Sequence, residues 1–194
     1  MSYTPNQKRD MLNAVSPDTL KLHTGYPGTT GANELTGGTP AYAPKACSYL
    51  ASSSGEPRQL TAGVTFDVPA SSIEWASAWA GGVCRFIAPT AGDPTEFSTD
   101  LVANTVRVPA HGYANGDRVV FFVDPPPAPL VAGTKYFVVS AGIDDFQVAT
   151  TSGGAAINLT THADRGCLVS KIVPRVYAAQ NTHTVGTFPF WLPN

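Results

Sequence analysis

What most limits the folds open to this chain is how often it is interrupted: 18 glycines and 17 prolines are spread through 194 residues. Proline lacks the N–H that a helix interior needs, and glycine loses more backbone freedom on ordering than any other residue. The runs between interruptions are short and rich in threonine, valine and aromatics, which suit a pleated strand. Asn6 to Val15 is the helix candidate: Pro5 and Asn6 open it, Met11, Leu12 and Val15 form a short apolar stripe, and Ser16-Pro17 closes it. The rest of the chain is expected to be β structure with long connections.

Thr19 to Thr24 alternates apolar and polar residues at period two, the mark of a half-buried strand. Gly25 to Gly38 follows as a long irregular segment with five glycines. A loop of that length is either functional or disordered, and this one is expected to make assembly contacts, ordering when a neighbour covers it. Tyr42–Leu50 reads as extended, and Leu60–Val68, Ile73–Trp79 and Val83–Ile87 as strands. Beyond Asp93-Pro94 short β-branched and aromatic runs recur with crisp turns between them. They are Leu101–Val108, Arg118–Val123, Thr134–Val139, Phe146–Thr150, Ala156–Thr160 and Cys167–Ile172.

Spacings near ten residues point to a small sandwich or barrel. Thr182 to Leu192 reads as a last strand returning to the first sheet. The expected architecture is therefore all-β: a β-sandwich-like domain (1–96 with 174–194) with one short N-terminal helix. It carries a second small β-sandwich or barrel (97–173).

Charged residues make up 13% of the chain, against about 25% in ordinary soluble domains. Twelve lysines and arginines are scattered without a cluster, and the net charge is -2. A nucleic-acid partner is therefore not expected, because binding phosphates needs a concentrated basic footprint. The N-terminal sequence has no apolar core of a secretory signal, and no apolar run reaches the ~20 residues of a membrane helix. Synthesis in the cytoplasm without membrane insertion is expected. So sparse a charge suits a surface packed against other proteins.

No residue pattern points to catalysis or to a cofactor. There is no Gly-x-Ser-x-Gly, and Ser52-Ser53-Ser54-Gly55 reads as a flexible turn. His23, His111, His162 and His183 stand singly, without metal-site spacing; His183 alone is marked for clustering in an oligomer. Glu34, Glu56, Glu74 and Glu96 give no paired carboxylates, and Asp144-Asp145 is a cation site or, more simply, a tight turn. The segment 25–38 lacks the Gly-Lys-Ser/Thr of a phosphate cradle. Cys47, Cys84 and Cys167 are too few and too far apart for a disulfide framework and read as small buried residues. An enzyme is not expected.

Aromatic residues are the remaining resource. Trp75 and Trp79 share one face; exposed, they stack on a sugar or a partner, and buried, they are core. Phe121 and Phe122 point to opposite faces of a strand, so one is core and the other, Phe122, meets another domain or subunit. Tyr113 in the second domain is a further candidate for stacking on sugars. Phe190 and Trp191 end the last strand.

The run Leu20-Lys21-Leu22-His23-Thr24-Gly25-Tyr26-Pro27-Gly28-Thr29-Thr30-Gly31-Ala32-Asn33-Glu34-Leu35-Thr36-Gly37-Gly38 resembles a signature of small tail-fibre or minor tail proteins of tailed bacteriophages. Ile73-Glu74-Trp75-Ala76-Ser77-Ala78-Trp79-Ala80-Gly81-Gly82 is similar, more loosely, to that family's later strand and Gly-Gly turn. The resemblance covers about residues 6–90. A second segment resembles a β module that recurs in phage tail proteins. Its landmarks are Ala110-His111-Gly112-Tyr113-Ala114-Asn115-Gly116-Asp117, Ala132-Gly133-Thr134-Lys135-Tyr136-Phe137-Val138-Val139, Asp145-Phe146-Gln147-Val148 and Gly153-Gly154-Ala155-Ala156-Ile157-Asn158-Leu159-Thr160.

The resemblance implies a structural role in the virion; within that, the leading expectation is a minor tail, tail-tip or tail-fibre protein, with other virion proteins as partners and a symmetric homo-oligomer, a trimer first. It carries over no catalytic, cofactor or metal residue. Contact residues are expected at Tyr26, Pro27, Asn33, Glu34, Leu35, Trp75, Trp79, Tyr113, Phe122, Phe190 and Trp191. The competing readings are a capsid decoration or head-fibre protein and a module that binds host glycans.

Overall fold

The computed structural model describes residues 4–90, 94–122, 125–163 and 167–188. Helix α1 (Pro5–Ala14) is followed by strands β1 (Thr19–His23), β2 (Lys45–Ala46), β3 (Val64–Val68), β4 (Ser71–Ile73), β5 (Trp75–Ala80) and β6 (Val83–Pro89). Next come β7 (Thr95–Glu96), β8 (Ser98–Asp100), β9 (Thr105–Arg107), β10 (Arg118–Phe122), β11 (Lys135–Val139), β12 (Asp145–Ala149) and β13 (Leu168–Lys171). The described chain closes with β14 (Arg175–Tyr177) and β15 (Asn181–Val185). The fold is all-β with one short helix, and every strand pairing is antiparallel.

Two compact units divide the chain, Met1–Thr90 with Pro174–Asn194, and Ala91–Val173. The expected boundary at 96/97 thus falls at 90/91, because Thr95 and Glu96 pair with Val169 and Leu168 of β13.

In the first unit a four-stranded sheet in the order β2-β1-β5-β6 is accompanied by the ladders β14-β4 and β15-β3. Leu20 faces Ala78 and Leu22 faces Ala76 across the β1-β5 ladder. That sheet face meets Phe66, Val68, Ile73, Val185 and Phe188 in one apolar core. Both Val185 and Phe188 reach the core because the ladder stops before Gly186, which frees the chain from strict alternation. The last strand runs over Asn181–Val185, shorter than expected, and residues 189–194, with Phe190 and Trp191, lie outside the described ones.

Thr4 caps α1 by accepting from Gln7 N, and the Gln7 side-chain Oε1 accepts from Thr4 N, a reciprocal pair that satisfies two helix-end donors. The helix docks on its own chain. Asn13 exchanges two 2.9 Å bonds with the backbone of Ser52. Arg58, only 7% exposed, donates to the carbonyls of Leu12 and Val15 at the helix end and to those of Tyr49 and Leu50. Four carbonyl groups left over by irregular backbone are satisfied by one guanidinium.

The second unit is a seven-stranded sheet in the order β7-β13-β10-β11-β12-β9-β8. Facing pairs Val119–Tyr136, Phe121–Val169, Val138–Val148 and Phe146–Val106 put one set of side chains into a separate apolar core.

Several expected strands are shortened or replaced, Leu60–Val68 to Val64–Val68 among them. Leu101–Val108 keeps Thr105–Arg107 as a strand, while residues 101–104 form the hairpin turn before it, because Asp100 Oδ1 accepts from Val102 N and Ala103 N and Asn104 takes a positive φ of 56°. Ala156–Thr160 forms no ladder strand: the Asn104 amide stands in for a partner strand, donating to Ile157 O and accepting from Leu159 N. Tyr42–Leu50 keeps only Lys45–Ala46 as a strand, with a lone bridge between Tyr49 and Leu60.

Candidate functional site

On the outer face of the β1-β5 ladder Thr19 is paired with Trp79, Lys21 with Ser77 and His23 with Trp75. The glycine-rich segment folds back over this face and is fastened to it. His23 Nδ1 lies 2.9 Å from Ala32 O, and its Nε2 lies 2.7 Å from Ser77 Oγ. A carbonyl only accepts, so Nδ1 carries the proton and Nε2 accepts from the Ser77 hydroxyl. Ser77 Oγ in turn accepts from Trp79 Nε1 at 2.7 Å. A continuous relay thus runs from an indole through a serine and a histidine to the loop backbone.

Other contacts complete the fastening. Lys21 Nζ sits 2.9 Å from Glu34 Oε2 and 4.7 Å from the centre of the Trp79 ring. Asn33, at φ 56°, donates from its amide to Tyr26 O, and Ala32 N donates to Pro27 O. Leu35 N bonds Leu22 O, extending the sheet edge into the loop. Gly31 takes a φ of 77° against the Trp79 ring. Beyond it, the Gln180 side chain accepts from Thr39 N and donates to Pro40 O. Tyr42 donates from its N to Gly37 O and accepts at its hydroxyl from Leu22 N, and burial pushes this phenol up to about 12. The expectation of a segment that orders under a neighbour is corrected: its own chain holds it.

The candidate contact residues separate into anchors and surface. Pro27 and Leu35 are buried under the segment, Tyr26 is half-buried edge-on to Trp75 at 5.1 Å, and Glu34 is held by Lys21. Trp75 and Trp79 are 1% and 7% exposed, so neither is available to stack on a sugar or a partner. Of these seven only Asn33 is exposed. The exposed run is instead Thr29, Thr30, Ala32, Asn33 and Thr36 to Ala41. Phe122 lies opposite Phe121 as expected, but it is 2% exposed and offers no free contact surface. Tyr113 is partly buried, packed on His111 and Phe146 with ring centres 4.8 and 5.4 Å away.

His23 and Ser77 have the contact of a base and a nucleophile, yet both are fully buried. Burial holds His23 below the ordinary histidine value, the Lys21 charge adds to this, and the Ala32 bond and Glu34 oppose it. The ring is neutral and serves as a structural link. His111 likewise accepts from Tyr113 N and contacts Asp145 O. Asp144 accepts from Ala110 N of a distant loop, and no group of three or more His, Cys, Asp or Glu among the described residues is placed to hold a metal. Glu56 accepts from the backbone and hydroxyls of Ser53 and Ser54, bonds that hold its carboxyl below the usual range and order this turn. None of the three cysteines is in a disulfide.

Missing from the sequence reading were Ser77, Arg58, Arg175 and Tyr177. Arg175 and Tyr177 carried one faint signal, their i, i+2 spacing on a short strand. The partners of Ser77 and Arg58 are set only by tertiary pairing. Comparison with protein-family models, with curated proteins and with solved structures finds no match.

Proposed function

We propose that this chain is a structural protein of a tailed-bacteriophage particle, a minor tail or tail-tip protein working as a homo-oligomer, with a trimer as the expected symmetry. One observation carries the reading. The segment with the tail-protein resemblance is a preformed surface whose exposed run, from Thr29 to Ala41, is threonine, glycine, alanine, asparagine and proline. Its single charged side chain, Glu34, is neutralised by Lys21. Binding through such a surface costs little ordering entropy and strips water from no unpaired charge. Those are the properties of a face that packs against another protein. His23 and Ser77, whose contact would otherwise suggest chemistry, are engaged in holding this surface in place.

Electron microscopy of intact particles with gold-labelled antibody against residues 97–173 tests the reading. Gold is expected at the distal tail. Gold spread over the head would make the chain a shell decoration protein instead, and particles without label would remove it from the virion.

A further inference from the structure

The ladders formed by β14 and β15 border a groove of about 460 Å³ in the first unit. Alternation along β14 puts Arg175 and Tyr177 on one face. The Tyr177 hydroxyl lies 2.8 Å from His183 Nδ1 on β15. A phenol is the better donor and an imidazole nitrogen the better acceptor, so the bond runs from Tyr177 to Nδ1 and leaves the proton on Nε2. That Nε2–H has no partner among the described residues. Burial, and after it the Arg175 charge, hold His183 below its ordinary value, so the ring is neutral at pH 7.

Arg175 is exposed, lines the groove, and its guanidinium has no hydrogen-bond or ion-pair partner among the described residues. No aspartate or glutamate is among the lining residues. Among the other lining residues, Thr90 and Thr187 bring hydroxyls, and Phe188 and the face of Tyr177 bring apolar surface. The groove therefore offers one permanent cation in fork geometry, one neutral N–H donor, hydroxyls and apolar faces.

We propose that this groove binds a sugar acid, a ring-sized polyol with one carboxylate: Arg175 takes the carboxylate, His183 donates to a sugar oxygen, and the Thr90 and Thr187 hydroxyls, the first already donating to Ile73 O, accept from sugar hydroxyls. A planar guanidinium matches a carboxylate with two parallel bonds. One cation balances a monoanion, not a dianion. A volume within the ~300–1,000 Å³ of small-molecule sites accommodates a single ring, and the mixture of hydroxyls with apolar faces suits a sugar's polar edges and C–H face. This assignment concerns a ligand of the first unit and stands whether or not the chain belongs to a phage particle.

The test is titration of the full-length protein with D-glucuronate, D-glucose and inorganic phosphate, followed by calorimetry and by the NMR signal of the His183 ring. Glucuronate is expected to move that signal saturably, and glucose to bind at least ~tenfold more weakly for want of the carboxylate. R175Q should lose about tenfold or more in glucuronate affinity with its melting temperature unchanged. R175K should recover part of the loss, because it keeps the charge without the fork. The proposal is overturned by a His183 signal that glucuronate leaves in place, or by R175Q binding as the parent does. Phosphate binding as tightly as glucuronate would also overturn it, making the groove a general anion site.

Discussion

His23 ties stability to pH. In the unfolded chain it titrates near its ordinary value of 6.5, whereas burial in the folded protein lowers its pKa. The stability it contributes is therefore complete above 6.5. As pH falls below that value the unfolded chain takes up a proton first, and stability is lost until pH passes the folded value. His183, lowered by burial and by Arg175, acts in the same direction. The urea midpoint should be flat from pH 8 to 7 and decline from about 6.5 downward. In His23→Asn the midpoint should be lower at pH 8 and the decline shallower, with His183 supplying what remains. A decline as steep in the variant as in the parent would remove His23 from this role. None of this was legible in the sequence, where His23 is one polar position on an alternating strand. Its partner Ser77 is 54 residues away, and only strand pairing brings them together.

At the scale of elements, the glycine-rich segment behaves as a lid whose underside is an indole ring. A Cβ built on Gly31 would fall 2.8 Å from Cζ2 of Trp79, at a φ of 77° that side chains rarely adopt. Gly31→Ala should destabilise the protein by about 2 kcal/mol, from backbone strain and the ring contact together. Tryptophan fluorescence should shift to the red as the lid lifts, and the thermal midpoint should fall; unchanged fluorescence and midpoint would show that the lid adapts. The sequence announced the strands beneath this lid plainly, since period two in Thr19–His23 and the Trp75–Trp79 spacing follow from a sheet with distinct faces. It did not announce that both faces of β5 are covered, because the cover is made by backbone groups at Ala32, Asn33 and Leu35 that carry no pattern. The run from Leu101 to Val108 is only partly a strand: Thr105–Arg107 pairs on both sides, but Asp100 bends residues 101–104 through local bonds to the backbone, and the Asn104 amide ties that turn to the distant Ile157 and Leu159.

For the whole molecule, the two places where the first unit is interrupted lie side by side. Thr90 donates to Ile73 O from its hydroxyl and to Glu74 O from its backbone, and Arg175 pairs with Ile73. The second unit enters and leaves through neighbouring points and has its own core. Replacing residues 91–173 by a short glycine-serine linker should leave the first unit folded, with a melting temperature within ~5 °C of the full chain's first transition, because loop-closure cost changes slowly with length. Circular dichroism and dispersed NMR signals would check this, and an unfolded or aggregated product would mean that the first unit needs the insert.

The order of the strands also sets a timetable on the ribosome. β3 and β4 are made early, but their partners β15 and β14 follow the whole second unit. At about 5–20 residues per second, Phe66, Val68 and Ile73 wait several seconds for the chain that covers them. During that interval the later unit can fold complete, while the earlier one keeps two strand edges open to any passing chain.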